Sequence, residues 1–267
     1  MAKGMLIDST RCIGCRGCQV ACKSWKELPA GKSAFSPTSG NPQHLDANNF
    51  TRVLFRETST PSGGVRWSFV KRQCMHCLEP ACTSACPVGA LVKLTEGPVL
   101  YRDDRCIGCR YCMVACPFSV PKYEWSSAVP YVRKCDLCAD RLAMGQAPAC
   151  VTTCPTEALL FGDRDELLAE AHRRIDTSPG KYAPTVYGEK TAGGTAVLYL
   201  TALPLEALGL ELEGFRTDLG EVPYGRAGHD WMAKVPWVAV TVGGAALGLY
   251  HLNRRRDEVR KQDGKEG

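Results

Sequence analysis

The sequence predicts an α+β fold in which one small cysteine-rich unit is nested inside another, followed by a single C-terminal transmembrane helix. Three observations predict it. Sixteen cysteines among 267 residues fall into four motifs of four, with none left over. Short strand-like runs and one capped helical pattern lie between and after those motifs. Near the C-terminus, Val235 to Leu252 holds no charged residue over 18 positions.

The motifs carry the chemistry. Cys12, Cys15, Cys18 and Cys22 follow C-x2-C-x2-C-x3-C, and Cys106, Cys109, Cys112 and Cys116 repeat it with Pro117 next. Cys74, Cys77, Cys82 and Cys86 read C-x2-C-x4-C-x3-C-P, and Cys135, Cys138, Cys150 and Cys154 read C-x2-C-x11-C-x3-C-P. Four thiolates hold one cubane of iron and sulfide, so sixteen predict four [4Fe-4S] clusters, a cofactor that accepts and passes single electrons. The triplet run is the bacterial ferredoxin pattern, in which the fourth cysteine serves the other cluster of a pair. Cysteines at i, i+3 and i+6 wrap a loop around one face of a cubane. Gly14 and Gly108 lie inside these loops, where a missing Cβ lets the backbone approach and aim amides at sulfur. The fourth cysteine is expected to start a short helix, with the following proline in its first turn.

Zinc is the competing ligand chemistry. It takes four ligands in tetrahedral geometry, commonly as two C-x2-C pairs. Cys135, Cys138, Cys150 and Cys154 alone fit that, but zinc has no use for the third cysteine at 12–18 or 106–112. Disulfides need an oxidising compartment, and cysteines three apart in tight loops pair poorly.

Composition is that of an ordinary globular protein, with 45% hydrophobic and 23% charged residues. The net charge of +5 is too small and too scattered for a nucleic-acid binder. Met-Ala-Lys-Gly-Met-Leu-Ile-Asp has neither an apolar core nor twin arginines, so no signal peptide is expected.

In chain order, residues 1–26 carry the first motif. Residues 27–66 are rich in Pro, Ser, Thr, Asn and Gly and read as a partner-facing loop. Val65 to Val70 reads as a strand, and residues 90–94 and 98–101 as a hairpin around Gly97. Asp163 reads as an N-cap with Glu166 three residues on. The helix through Leu167, Leu168, Ala171 and Ile175 then closes with Arg173 and Arg174 in its last turn. Thr195 to Leu200 reads as a strand. The expected units are an outer two-cluster unit (1–70 and 121–162), an inserted inner unit (71–120) and a partner-contacting extension (163–230). A transmembrane anchor (231–253) and a basic tail (254–267) follow.

The anchor rests on length and flanks. Eighteen residues make roughly 27 Å of helix, close to the hydrocarbon thickness. Trp231, Trp237 and Tyr250 stand near its ends as interfacial aromatics, and Pro236 lies in the first turn. Gly244 and Gly248 offer a small face for helix contact. A buried helix of a soluble domain is the alternative, and the adjacent Arg254, Arg255 and Arg256 weigh against it. Residues 220–234 hold two basic residues, Arg226 and Lys234, whereas 253–267 hold six. The positive-inside rule therefore places the C-terminus in the cytoplasm and the cysteine-rich part in the periplasm. Clusters are built in the cytoplasm, so that part would cross the membrane folded, alongside a signal-bearing partner.

The four motifs in this order resemble the iron–sulfur (beta) subunits of membrane-bound respiratory oxidoreductases. The two nearest likenesses are to the formate dehydrogenase-N beta subunit and the ferredoxin-like subunit of the hydrogenase-2 type nickel–iron enzyme. The matching stretches are Cys12-Ile13-Gly14-Cys15, Gln73-Cys74-Met75-His76-Cys77, Cys109-Arg110-Tyr111-Cys112, Pro148-Ala149-Cys150-Val151 and Tyr187-Gly188-Glu189-Lys190 with Gly193-Gly194-Thr195. The resemblance implies four ligand sets. Cys12, Cys15, Cys18 and Cys154 form one, and Cys22, Cys135, Cys138 and Cys150 the next. Cys74, Cys77, Cys82 and Cys116 form the third, and Cys86, Cys106, Cys109 and Cys112 the fourth. It also implies partners: a catalytic oxidoreductase subunit with molybdenum, tungsten or nickel–iron, and a membrane cytochrome b or quinone-reactive subunit. The missing twin-arginine signal favours the formate dehydrogenase type, and the 187–195 stretch favours the hydrogenase type.

Three function classes compete. An electron-transfer subunit without its own substrate site fits every motif. A zinc-stabilised assembly protein fits only the fourth. A self-contained reductase lacks a G-x-G-x-x-G fingerprint or a persuasive catalytic constellation. His76, between two ligands, is expected to donate a hydrogen bond rather than ligate. His251 is an interfacial polar residue or a neighbour of a partner's haem. Lys23, Lys71, Arg72, Arg110 and Lys134 flank cysteines; each either raises reduction potentials by its charge or is solvated surface.

Overall fold

The computed structural model describes residues 2–31, 33–35, 40–60, 63–211, 214–221 and 224–263. It forms two units, Met1–Arg226 and Ala227–Gly267. The first half of the chain contains β1 (Lys3–Asp8), α1 (Gly17–Trp25), β2 (Arg52–Ser59), β3 (Val65–Arg72), α2 (Ala81–Ser84), β4 (Leu91–Lys93), β5 (Val99–Tyr101) and α3 (Tyr111–Ala115). The second half contains β6 (Lys122–Tyr123), β7 (Val132–Arg133), α4 (Ala139–Ala143), α5 (Ala149–Thr152), β8 (Leu159–Asp163), α6 (Arg164–Thr177), β9 (Val197–Leu200) and α7 (Tyr224–Asp263). The fold is α+β, as predicted.

A three-stranded sheet of order β8-β1-β9 organises the first unit, with β1 antiparallel to β8 and parallel to β9. Met5-Leu6-Ile7 and Val197 to Leu200 are continuous apolar runs, as strands buried on both faces require. Side chains alternate between those faces. Met5, Ile7, Val197 and Tyr199 join the core that holds Cys74 and Cys150. Leu6, Leu198 and Leu200 pack instead against Leu167 and Ala171 of α6. Each such full burial of a large side chain stabilises the fold by about 1.5–3 kcal/mol. The sheet thus lies between α6 and the cysteine sites.

The predicted α6 forms, with Asp165 and Glu166 in its first turn and Arg174 in its last, charges that complement the helix dipole. Asp163 occupies the N-cap position, yet its side chain makes no capping bond. The β1–β8 register sets Lys3 opposite Asp163, and Lys3 Nζ donates to Asp163 Oδ1 at 2.9 Å instead.

Residues 27–66 differ from the loop predicted for them. They contain β2, whose Arg52, Val53 and Leu54 are buried and which pairs with β3 from Arg52↔Arg72 to Ser59↔Val65. The β4–β5 hairpin forms as predicted, with Leu91 opposite Tyr101. The turn docks on β1, because Lys3 N–H donates to Glu96 O at 2.8 Å and Gly97, at φ +116°, leaves no room for a Cβ against Lys3 O. Within the predicted extension, Leu205, Leu208, Leu210, Phe215 and Leu219 enter the same core as Met5 and Cys74.

The described residues of the second unit are helical, within α7. Side chains at 224–236 lie outside the described residues, so the expectations for Arg226, Trp231, Lys234, Val235 and Pro236 lie outside them too. From Trp237 to Leu252 every residue is exposed, including Trp237, Val238, Val240, Val242, Leu247, Leu249 and Leu252. Among the described residues, no helix is long and apolar enough to cross a membrane. The predicted 18-residue stretch opens at Val235, two positions before the first described side chain of α7.

Candidate iron–sulfur centres

Each motif is a tight loop leading into a short helix. In the first, Arg16 adopts a left-handed conformation at φ 60° and α1 begins at Gly17, so Cys18 and Cys22 both ride on the helix. In the third, Arg110 at φ 62° precedes α3, which carries Cys112. Cys82 lies on α2 and Cys150 on α5. The fourth cysteine does not start a helix. Cys116 is the C-cap of α3, and Cys86 and Cys154 follow the ends of α2 and α5. Pro87, Pro117 and Pro155 therefore stop helices rather than open them, since proline lacks the N–H and clashes with the carbonyl four residues back. The first motif has Lys23 in that place, and α1 runs on to Trp25.

Further residues in the loops share the strained backbone. His76, Leu137 and Cys138 also have positive φ, a conformation that costs an L-residue about 1–2 kcal/mol. The strain aims backbone amides at thiols. Gly108 N–H points to Cys106 Sγ and Leu137 N–H to Cys135 Sγ, both at 3.4 Å, and Ala90 N–H points to Cys86 Sγ at 3.2 Å. Such donors favour the thiolate.

The fold brings thiols from different motifs near one another. α1 packs on α5, and α2 on α3. Cys12 faces Cys15 and Cys154, and Cys18 faces Cys12 and Cys15. Cys22, Cys135, Cys138 and Cys150 line one cavity, and Cys86, Cys106, Cys109 and Cys112 line another. Cys77 faces Cys74, Cys82 and Cys116. Electrostatic reach extends across these groups: Cys18 with Cys150, Cys82 with Cys112, and Cys135 with Cys74.

Electrostatics test whether clusters fit. Burial raises the thiols of Cys18, Cys22 and Cys82 to about 12 and that of Cys112 to about 11, and neighbouring thiolates add to each rise. Such thiols lose their protons when a bound metal replaces them. Among the described residues, no three His, Cys, Asp or Glu side chains converge to hold a single metal ion. A cubane takes one thiolate at each of four corners, so its ligands need not meet at a point. The residues fit [4Fe-4S] clusters.

The flanking residues divide. Lys71, Arg72 and Lys134 are buried, not solvated. Arg72 donates to Gln73 O at 3.0 Å and to Phe118 O, and Lys134 donates to Cys135 O at 2.9 Å. Lys23 binds Pro29 O at 2.7 Å and Asn48 O at 3.0 Å, and Arg110 is exposed. His76 is buried, and its Nδ1 accepts the Val99 N–H at 3.0 Å. Burial, then the nearby Lys134, Lys93 and Lys71, holds it well below the ordinary histidine range. The neutral ring therefore carries its proton on Nε2, which has no protein partner among the described residues. His251 is exposed on α7.

One positioning element was not read from the sequence as part of the site. Ala196 N–H and Val197 N–H donate to His76 O and Met75 O, each at 3.1 Å, and Thr195 bridges Cys77. The strand after the Tyr187–Thr195 stretch therefore fixes the second motif. A run of small and β-branched residues far along the chain carries no sign of that contact.

Two family models, each described as a 4Fe-4S dicluster domain, match residues 11–90 and 65–164. A protein of Nitratidesulfovibrio vulgaris is 41% identical over 263 residues, covering 97% of this chain and 69% of its own length. The hydrogenase-2 operon protein HybA of Escherichia coli O157:H7 is 40% identical over 237 residues, covering 78% of this chain and 72% of its own. The chain belongs to the ferredoxin-like 4Fe-4S dicluster subunits. The iron–sulfur subunit of the nitrate-inducible formate dehydrogenase of Escherichia coli K12 is 40% identical over 198 residues, 73% of this chain and 66% of its own length. This iron–sulfur subunit is an electron-transfer protein, and its sixteen cysteines serve four [4Fe-4S] clusters.

Proposed function

We propose that this subunit carries electrons between a catalytic subunit of the formate dehydrogenase type and a membrane cytochrome b or quinone-reactive subunit. When bound, each cluster accepts and releases one electron. The four ligand sets are those implied by family resemblance, with Cys12, Cys15, Cys18 and Cys154 at one end and Cys86, Cys106, Cys109 and Cys112 at the other. The observation that carries the reading is the continuity of the thiols. Cys18 lies within electrostatic reach of Cys150, Cys135 of Cys74, and Cys82 of Cys112, which supports linking all four sets in one file. On this reading the inner unit is nested in the outer one, the exposed apolar residues of α7 face lipid or a partner's helices, and residues 231–253 anchor the chain. The cysteine-rich unit is then periplasmic and the basic tail cytoplasmic.

A second reading, the electron-transfer subunit of a membrane-bound nickel–iron hydrogenase, is favoured by the wider reach of the HybA match, 78% of this chain against 73%. Membranes holding the native complex discriminate: reduction of the clusters by formate supports the first reading, and reduction by hydrogen alone supports the second. Protease treatment of intact spheroplasts tests topology. Full protection of the cysteine-rich unit would sink its periplasmic placement.

A further inference from the structure

The penultimate residue of β3 is a lysine that the electron-transfer role leaves unexplained. Lys71 is 2% exposed, and its Nζ has no hydrogen-bond partner among the described residues. A buried ammonium without a counter-charge is strongly destabilising. The neighbouring groups show where a counter-charge belongs. Lys71 lines the cavity framed by Cys22, Cys135, Cys138 and Cys150. Cys18, and more weakly Cys12, also lie within electrostatic reach of it. Tyr199, whose buried hydroxyl also lacks a partner among the described residues, faces the same lysine.

Lys71 is held in place by the hairpin. It pairs in register with Val53, and the next residue, Arg72, pairs with Arg52. The side chain cannot swing to solvent without parting β3 from the core. A cubane with four thiolates has net negative charge, and its sulfides accept hydrogen bonds, so both requirements of the ammonium are met from the two cluster sites beside it.

We propose that Lys71 is a fixed positive charge shared by two cluster sites, those of Cys12, Cys15, Cys18 and Cys154 and of Cys22, Cys135, Cys138 and Cys150, and that it raises the reduction potential of both. A positive charge favours the reduced state, which carries one more electron. Within electrostatic reach of both sites, it also screens each from the electron held by the other. This inference rests on the ligand sets proposed above.

The test uses the full chain, purified anaerobically, with dithionite as reductant and EPR-monitored redox titration. Cys22→Ser and Cys154→Ser variants identify the signals of the two outer sets. Lys71→Met is expected to keep its iron and to lose at least tenfold in the equilibrium constant for reducing each outer-set cluster, about 59 mV for one electron. The inner-set signals shift less, and Lys71→Arg restores most of the loss. If Lys71→Met sheds outer-set iron and Lys71→Arg keeps it, the charge requirement stands. Unmoved outer-set potentials at full iron content, equal shifts in all four clusters, or iron loss that Lys71→Arg does not restore would each overturn the proposal. Failure of the ligand sets themselves shows separately, as a wild-type iron content far below about sixteen per chain or a Cys22→Ser variant that disturbs the inner signals.

Discussion

Phe69 lies over Gly14: its Cδ1 stands 2.9 Å from where a Cβ on Gly14 would be. The third motif repeats the relationship, with the Tyr123 hydroxyl 3.0 Å from the same point on Gly108. In both loops the glycine has positive φ, near 70°, and the adjacent arginine stacks on a hairpin aromatic. Arg16 lies 4.5 Å from the Phe55 ring on β2, and Arg110 lies 5.5 Å from the Tyr123 ring on β6. Each triplet loop is thus pressed by the hairpin that follows it. Gly14→Ala combines backbone strain of about 1–2 kcal/mol with displacement of an entire ring. It is expected to lower iron by about four per chain and to lower the thermal midpoint. Gly108→Ala meets only the tip of a tyrosine and is expected to lose less on both measures. Equal losses in the two variants would show that the rings do not set the cost.

How much of this was legible in the sequence depends on the signal each element carries. The cysteine spacing announces its cofactor because few other chemistries use a third cysteine at that interval. The β4–β5 hairpin and α6 were readable from a glycine between apolar runs and from helical periodicity. Strand β1 was not, because Met5-Leu6-Ile7 is too short a run to separate strand from helix. Strand β2 was hidden because residues 27–66, rich in Pro, Ser, Thr, Asn and Gly, read as a loop. Arg52 is buried all the same, since its register places it opposite Arg72 at the core end of the hairpin. The burial of Lys71 is likewise a product of tertiary structure: a lysine beside a cysteine motif looks the same in sequence whether solvated or enclosed.

Arg174 is the strut between α6 and the sheet. Its Nη1 donates to Asp8 Oδ2 at 2.8 Å, and the Asp8 side chain is 1% exposed. Thr10 Oγ1 and Tyr182 OH also donate to that carboxylate. Removing one partner of a buried pair costs about 3–5 kcal/mol because the other charge is left uncompensated. Arg174→Ala is expected to lower the thermal midpoint accordingly. Replacing Arg173, which binds Glu170 at the exposed surface, by alanine is expected to leave the midpoint nearly unchanged. Similar midpoints for the two variants would count against the strut.

Glu170 gives this region an acid dependence. Hydrogen bonds from Arg173 and Arg174 hold its carboxyl down to about 2, against an ordinary value of 4.5. A depressed folded-state pKa contributes stability that is fully present above the unfolded value and lost as pH falls toward the folded one. The difference in thermal midpoint between wild type and Glu170→Gln is therefore expected to be constant from neutral pH down to about 5 and to shrink between about 4.5 and 2. Taking the difference cancels the acid lability that cluster proteins share. A difference that stays flat through that window would rule the pair out as its source.

The end of the chain offers the sharpest separation of roles. Every cysteine precedes residue 155, and the core residues Leu205 to Leu219 complete the first unit before α7 begins. The apolar residues of α7 from Trp237 to Leu252, by contrast, are all exposed. An exposed run of that kind is costly in water and marks a surface that something apolar covers. Deleting residues 231–267 is expected to leave iron content and the thermal midpoint of the cluster-bearing unit unchanged, while the protein leaves the membrane fraction. Iron analysis and ultracentrifugation of the truncated chain read the two effects independently. If truncation empties the cluster sites, α7 belongs to the fold of the first unit. If the truncated chain still sediments with membranes at high salt, attachment lies in residues 1–230, and the exposed face of α7 has another occupant.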